Sequence, residues 1–200
     1  MLKEQRKSLY FSAAQYSEKN KFCQALQKKL DRIDTKRPLV FLCIGSDRAT
    51  GDSLGPLVGQ RLETDFFCTK KAAVYGTLHQ TVHAGNLVKT LADIYSRFDN
   101  PYIIAIDASL GIPEHIGYVT LGDGSLHPGI GVSHDLPETG DIHITGIVNH
   151  STQNNHFTLQ TTKLFTVMEL AGFISDGILT ALHVRSSLQS PKKRHFINIF

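Results

Sequence analysis

A buried strand that runs directly into a glycine-punctuated loop is the feature that most limits how this chain can fold. Residues 38–44 (PLVFLCI) are apolar throughout, with the length and the β-branched or aromatic content of a strand buried on both faces. Residues 45–56 (GSDRATGDSLGP) form the loop, and from Leu54 onward apolar residues recur at helical spacing. This order predicts a strand, a loop at its carboxyl end and a helix. In open α/β sheets ligands bind at that edge, so the loop is where we expect the functional site.

The rest of the chain continues the alternation of strands and helices. Residues 72–78 and 102–107 are typical of strands, and the segment between them is typical of a helix that Asn86 can cap. This β-α-β-α-β order predicts a largely parallel sheet with helices on both faces. Weaker patterns downstream predict two more strands and one long helix, at 115–121, 141–148 and 160–184.

Length and composition are those of a single globular domain. The 200 residues can bury a real core, and 41% hydrophobic with 20% charged residues is ordinary for such a domain. We see no apolar run near the roughly 20 residues that a membrane helix requires, and no apolar signal core after the charged amino terminus. Cys23, Cys43 and Cys68 have no metal-type spacing, which indicates reduced thiols and a cytoplasmic location. We therefore expect no membrane partner.

The net charge of +3 conceals basic ends and an acidic centre. Residues 1–37 carry a balance of +6 and residues 185–200 one of +4, which leaves −7 for residues 38–184. We expect a helical basic amino-terminal extension over 1–37, an α/β domain over 38–184 and a basic tail over 185–200. Basic segments can bind nucleic acid. These lack interleaved aromatic residues, so we expect solvated surfaces and no nucleic-acid partner.

Three carboxylates mark the predicted site: Asp47 and Asp52 in the loop, and Asp107 at the end of the third predicted strand. Asp52 can instead cap the following helix, for about 1 kcal/mol, and Asp107 can bond nearby backbone. If the first and third predicted strands are adjacent, Asp52 and Asp107 project into one crevice. Two close carboxylates cannot both ionise cheaply, so one holds a proton and the pair supplies an acid and a base that activate water. The same pair, with a histidine, could instead hold a divalent metal.

Other kinds of site lack the required spacing. The loop has neither the G-x-G-x-x-G order nor the lysine of a phosphate-binding loop, and Ser53 is not in a G-x-S-x-G nucleophile elbow. None of the ten histidines forms an H-E-x-x-H pattern, and His79 and His83 lie in a segment without helical periodicity. His127 and His134, in a stretch without periodicity, are the better candidates for site residues. A surface or structural role is the alternative for each.

Three segments, 40–56, 106–110 and 140–148, resemble the YyaC family of sporulation proteins, and the resemblance spans roughly residues 38–184. That family is similar to the spore germination protease and, more distantly, to hydrogenase maturation endopeptidases. Residues 127–132 (HPGIGV) also resemble a His-Pro-Gly segment of the germination protease. The resemblance implies a three-layer α/β/α fold with a mostly parallel central sheet, peptide-bond hydrolysis in a protein or peptide substrate, and a forespore or spore compartment.

The resemblance also assigns roles to residues. Asp52 matches the acidic residue of the first motif, which is a catalytic aspartate in the germination protease and a metal-contacting glutamate in the maturation enzymes. Asp107 matches the second catalytic or metal-contacting aspartate. The histidine that completes the metal site of the maturation enzymes has no match that we can place, which favours a metal-free pair and no cofactor. We expect Asp47 and His127 to line the cleft and contact the substrate.

Three functions remain open at this point. The leading hypothesis is a spore protease that hydrolyses a protein substrate during sporulation or germination, with the aspartate pair activating water. The alternatives are an inactive binding protein that holds a basic segment in the acidic cleft, and a metal-dependent endopeptidase of the hydrogenase-maturation type. A homodimer also stays open, through exposed apolar positions on the long carboxyl-terminal helix.

Overall fold

The computed structural model of the protein describes residues 8–65, 68, 70–128 and 136–189. Six strands in these ranges form one sheet in the spatial order β1-β5-β6-β4-β2-β3. They are β1 (Leu9–Ser12), β2 (Leu39–Cys43), β3 (Ala72–Tyr75), β4 (Tyr102–Gly111), β5 (Tyr118–Asp123) and β6 (Ile142–His150). Strands β3, β2, β4 and β6 are parallel, while β5 and β1 are antiparallel to their neighbours. The predicted α/β fold is confirmed.

Helices cover both faces of this sheet. They are α1 (Tyr16–Leu30), α2 (Leu54–Thr64), α3 (Leu87–Arg97), α4 (Asn155–Gln160) and α5 (Leu164–Gln189). Strand β2 contributes to both resulting cores: Phe41 and Cys43 pack with α1, α2 and α5 on one face, while Val40 and Leu42 pack with α3 on the other. A strand buried on both faces has no place for a polar side chain, which is why β2 is apolar throughout.

Several predicted elements have different ends from those that the pattern indicated, and two of these differences lie near the predicted site. The strand predicted to stop at Asp107 continues to Gly111 as β4, because its last residues still pair with β6. The helix predicted over 160–184 is α5, which begins at Leu164 and continues to Gln189, and the separate short helix α4 ends just before it at Gln160.

The amino-terminal residues that the sequence set apart are built into the sheet and the core. Strand β1 pairs with β5 along its whole length. On α1, Phe22 is fully buried, and its ring centroid lies 5.4 Å from those of Phe11 and Phe173. In β1 Phe11 is the one buried residue, so no alternation marks this strand in the sequence.

Ion pairs join the basic amino-terminal segment to the acidic centre of the chain. Three of them cross between these parts: Lys19–Asp176, Lys29–Asp123 and Arg37–Asp141. Each is partly exposed and is worth at most about 1 kcal/mol. The charge asymmetry of the sequence is therefore partly neutralised within the fold.

Helix α5 is long and apolar enough, by length and composition, to cross a membrane. An 18-residue window within Leu164–Ser187 has a mean hydropathy of 1.4, and half of that window is buried inside the molecule, where α5 packs against α1 and α2. The stretch is not a continuous apolar run, so the expectation that no such run nears 20 residues is not contradicted. Glu169 and Asp176 interrupt the stretch and hide it from a search for continuous apolar runs. The absence of a membrane partner stays a prediction.

Truncation of Phe22 tests whether α1 belongs to the core of the domain. We expect Phe22→Ala to lower the free energy of unfolding by about 3–5 kcal/mol, because it removes a buried ring from an aromatic cluster. Tyr16→Ala on the same helix is the control, since Tyr16 is 84% exposed, and should change stability by less than about 0.5 kcal/mol. Urea unfolding followed by circular dichroism measures both. A wild-type unfolding midpoint for Phe22→Ala would show that α1 is a separate extension.

Candidate active site

The pairing of β2 with β4 brings the two sequence motifs together. The strands are parallel, with Cys43 opposite Ile106. Strand β2 ends at Cys43 and the chain turns away into the loop, whereas β4 continues to Gly111. Asp107 is therefore the first residue of β4 beyond the end of its neighbour. It lies inside its strand and not at the end, which corrects one part of the prediction, while the predicted adjacency of the two strands is confirmed.

Close backbone contacts fold the loop back onto the end of β2. The Ser46 amide donates to the Asp52 carbonyl oxygen at 3.1 Å. Gly45 has a φ of +143°, and a Cβ there would lie 2.0 Å from that same oxygen. A Cβ at Gly55 would lie 2.0 Å from the Ile44 carbonyl oxygen. Only glycine fits at both positions, so the spacing of glycines in the loop is what places Asp52 at the carboxyl end of β2.

The side chain of Asp52 does not cap α2, although the sequence left that role open. It lies in a 3₁₀ turn (Gly51–Ser53) that leads into α2. The helix begins after Ser53, whose hydroxyl donates to the Thr50 carbonyl oxygen at 2.6 Å. Among the described residues, no side chain caps α2.

Asp52 and Asp107 line one cleft of about 420 Å³. Asp47 lines it as well, next to Arg48, and both of these side chains are exposed. Apolar side chains complete the walls, among them Ile44, Leu110, Leu136 and Leu159. The structure thus brings together the three carboxylates that the sequence singled out.

Burial makes Asp107 the carboxyl group that holds a proton. Its exposed fraction is 8%, and this loss of solvent raises its pKa well above the usual value. The nearby charge of Asp52 raises the pKa further. The Ala108 amide, which donates to Asp107 Oδ1 at 2.7 Å, opposes the shift. The backbone bond expected as the structural alternative is therefore present, but burial outweighs it.

Asp52 has a different electrostatic environment. Burial raises its pKa too, but a hydrogen bond from the Ser46 amide and the charges of His83 and His156 lower it. The pair is therefore unequal: Asp52 is the carboxyl group that ionises first, and Asp107 is the one that keeps its proton.

Two histidines that no motif marks flank the aspartate pair in the same cleft. His83 follows Val82, whose carbonyl oxygen accepts the Gly45 amide at 2.8 Å. Nδ1 of His83 accepts the Gly85 amide at 3.1 Å, so Nε2 carries the proton of the neutral ring. His156 is an exposed residue of α4. Tertiary packing brings both histidines to the cleft, which is why their sequence spacing does not reveal them.

His127 stands apart from the pair. Its side chain is 73% exposed, and its Nε2 lies 3.1 Å from Glu138 Oε1. Its neighbour Pro128 lines the cleft, but His127 does not belong to the lining. A substrate contact by His127 therefore stays a prediction. His134, the other histidine of that stretch, lies outside the described residues.

The aspartates and histidines do not form a preformed metal site. A bound ion needs several side-chain ligands within reach of one point. Across the described ranges, no three histidine, cysteine, aspartate or glutamate side chains are close enough to share an ion. This donor arrangement does not fit the metal of the maturation-type enzymes, and no step is derived through a metal.

Comparison with known structures supports the fold. The [NiFe] hydrogenase maturation protease HycI from Thermococcus kodakarensis KOD1 superposes with a TM-score of 0.51, over 80% of this chain and 99% of that protein. The two sequences are 19% identical, so the likeness shows a shared fold alone.

Comparison of sequences gives the family. A family model described as "Protein of unknown function (DUF1256)" matches residues 10–177. The uncharacterized protein YyaC of Bacillus subtilis (strain 168) is 48% identical over 142 residues, which cover 71% of this chain and 68% of that protein. The segment that the family model matches includes α1, which agrees with the place of that helix in the core. By both findings, the chain belongs to the YyaC family of proteins, whose family model is DUF1256.

Proposed function

We propose that this protein is a peptidase that hydrolyses a peptide bond in a protein or peptide substrate, with Asp52 and Asp107 as its acid–base pair. The observation that carries the proposal is the unequal pair itself. One carboxyl group is buried and keeps its proton, and the other is flanked by two imidazoles, and both line one cleft. The fold shared with a maturation protease supports the same class of reaction.

In the first step, the Asp52 carboxylate takes a proton from a water molecule, and the hydroxide attacks the carbonyl carbon of the substrate. Asp107 donates its proton to the carbonyl oxygen, so that no full negative charge develops there. The result is a neutral tetrahedral diol, a protonated Asp52 and an ionised Asp107.

In the second step, Asp52 donates its proton to the amide nitrogen, and Asp107 takes one from a hydroxyl of the diol. The carbon–nitrogen bond breaks, which releases a carboxylic acid and an amine. Both aspartates return to their starting states. His83 and His156 favour the ionised form of Asp52 with which each cycle begins.

The substrate contacts and the biological setting belong to the same proposal. Asp47 and Arg48 in the cleft lining would contact the substrate. A role in sporulation or germination, in the cytoplasm of the forespore or spore, is supported by the resemblance of the motifs to the sporulation family.

A binding protein without turnover is the second candidate. The carboxylates of Asp47 and Asp52 in one cleft favour it, because their negative charge suits a basic segment of a partner protein. Such a protein would bind basic peptides and release them uncut, so one peptide library tests both candidates.

Loss of either carboxylate should abolish cleavage. We expect the purified protein to cut members of a proteome-derived peptide library, with the new termini identified by mass spectrometry. Asp52→Asn and Asp107→Asn should each lower the rate by roughly 10²–10⁴-fold, because each removes a proton transfer that the cycle requires. Asp99→Asn, at an exposed position, is the control. Cleavage at the wild-type rate in both cleft variants would contradict the mechanism, and binding without cleavage by the wild type would favour the second candidate.

The pH dependence of the rate should be bell-shaped. The rate falls below the pKa of Asp52, where the base is protonated, and above the pKa of Asp107, where the acid is ionised. The initial rate on one library peptide, measured across the pH range, checks this. A profile with no fall on the alkaline side would remove Asp107 as the acid.

At neutral pH, the carboxyl group of Asp107 should lower the free energy of unfolding. Its folded pKa lies above its unfolded value, so the folded state binds more protons between the two values. The free energy of unfolding therefore falls as the pH rises through that window. Asp107→Asn cannot ionise and still offers an oxygen to the Ala108 amide, so we expect it to raise the free energy of unfolding at pH 7 by at least about 1 kcal/mol.

The gain of Asp107→Asn should shrink as the pH falls, and it should vanish where both states of the wild type are protonated. Thermal and urea unfolding from pH 3 to pH 8 measure it, with Asp99→Asn as the control. An equal free energy of unfolding for Asp107→Asn and wild type at every pH would show that the buried carboxyl group of Asp107 does not destabilise the fold.

A further inference from the structure

Helix α4 forms one wall of the cleft, and it packs against the turn that carries Asp52. It contributes His156, Leu159 and Gln160 to the lining. It has six residues, which is too short for a helix to be stable by itself in water. Its position therefore depends on the contacts that hold it in place.

The contact with the Asp52 turn requires a residue without a side chain. Gly51 is buried, and a Cβ there would lie 2.8 Å from Thr162 Oγ1, 2.9 Å from Leu159 Cδ2 and 3.0 Å from the Leu159 carbonyl oxygen. The end of α4 thus packs directly on the backbone of the residue before Asp52. The Leu159 carbonyl oxygen is a backbone atom, and Thr162 Oγ1 is held by its hydrogen bond to the Thr158 carbonyl oxygen, so neither moves aside as easily as the end of the Leu159 side chain.

Polar contacts with the end of β6 hold α4 from the other side. The Asn149 side-chain amide donates to Thr162 Oγ1 at 3.3 Å and to the Thr158 carbonyl oxygen at 3.4 Å. The hydroxyls of Thr152 and Thr158 are 2.6 Å apart. Asn154 caps the helix by accepting the Phe157 amide at 3.1 Å. Thr158 and Thr162 are buried, so the bonds to these two residues are partly shielded from water, whereas the cap at Asn154 is exposed.

We propose that Gly51 is a positioning residue: its missing side chain lets α4 close against the Asp52 turn, which sets His156 beside the Asp52 carboxylate. A catalytic role for this positioning rests on the proposed function. The positioning of His156 beside Asp52 does not, because it is tested through the pKa of Asp52 alone.

The charged and polar groups that face Asp52 come from different elements of the fold. Asp107 comes from β4, His83 from the segment after β3, and His156 from α4, while the Ser46 amide comes from the loop itself. The loop also places Asp47 and Arg48 on the lining of the same cleft. Of these groups, His156 is the one whose position depends on the contact with Gly51. A methyl group at residue 51 should therefore weaken the His156 contribution and leave the β4 and loop contributions in place.

The substitution Gly51→Ala tests the proposal without any substrate. Burial raises the pKa of Asp52, and the imidazolium of His156 lowers it. Displacement of α4 weakens both effects, so the quantity that isolates the positioning is the change in the Asp52 pKa on removal of His156. Carboxyl carbon NMR titration of Asp52 measures the change. Gly172→Ala is the matched control, since its Cβ would meet Arg61 Nη1 at 3.5 Å, an ordinary contact on α5. It should leave the Asp52 pKa unchanged.

A double-mutant comparison separates positioning from a general loss of structure. His156→Ala should raise the Asp52 pKa in the otherwise wild-type protein and raise it much less in the Gly51→Ala background, because displacement of α4 has already removed that interaction. If Gly51→Ala does not fold, Asn149→Ala removes the hydrogen bonds from β6 to Thr158 and Thr162 and should reduce the effect of His156→Ala in the same way. No rise on His156→Ala in the wild type, or a rise of the same size in both backgrounds, overturns the proposal. Peptide cleavage does not enter this test, so its outcome is independent of whether the protein proves to be a peptidase.

Discussion

The parallel pairing of β2 with β4 is the constraint on which the candidate site depends. Because Cys43 lies opposite Ile106, the loop after β2 and the residue Asp107 of β4 meet at one edge of the sheet. The glycines of the loop then allow the backbone contacts that return Asp52 to that edge. A register shift of one residue would turn Asp107 to the other face of the sheet and separate the two carboxylates.

The two aspartates have the same side chain, but one keeps its proton and the other ionises. Asp107 lies inside a strand, surrounded by core, and faces another carboxylate. Asp52 lies on a turn at the open side, where a backbone amide and two imidazoles favour its charge. Burying an ionisable group beside a like charge destabilises a fold, so such a pair is a candidate for chemistry more than for structure. This is the physical ground for the proposed peptidase.

How far the sequence predicts this arrangement depends on the range of the interactions. Strand β2, its loop and the pair of Asp52 and Asp107 follow from local patterns and from the rule that parallel strands share one functional edge. The place of β1 in the sheet does not, because four residues with one buried side chain carry no period. His156 could not be foreseen either, since α4 is held by Gly51 and by side chains at the end of β6. The contact of Gly51 with Leu159 and Thr162 joins residues far apart in the chain.

The most direct test of this account is the pKa of Asp107 in the wild-type protein and in Asp52→Asn, followed by carboxyl carbon NMR. The account predicts a pKa well above the ordinary value in the wild type and a lower one in Asp52→Asn, because the neighbouring charge is gone. An Asp107 that titrates in the ordinary range, or one whose pKa does not respond to the substitution, would contradict it.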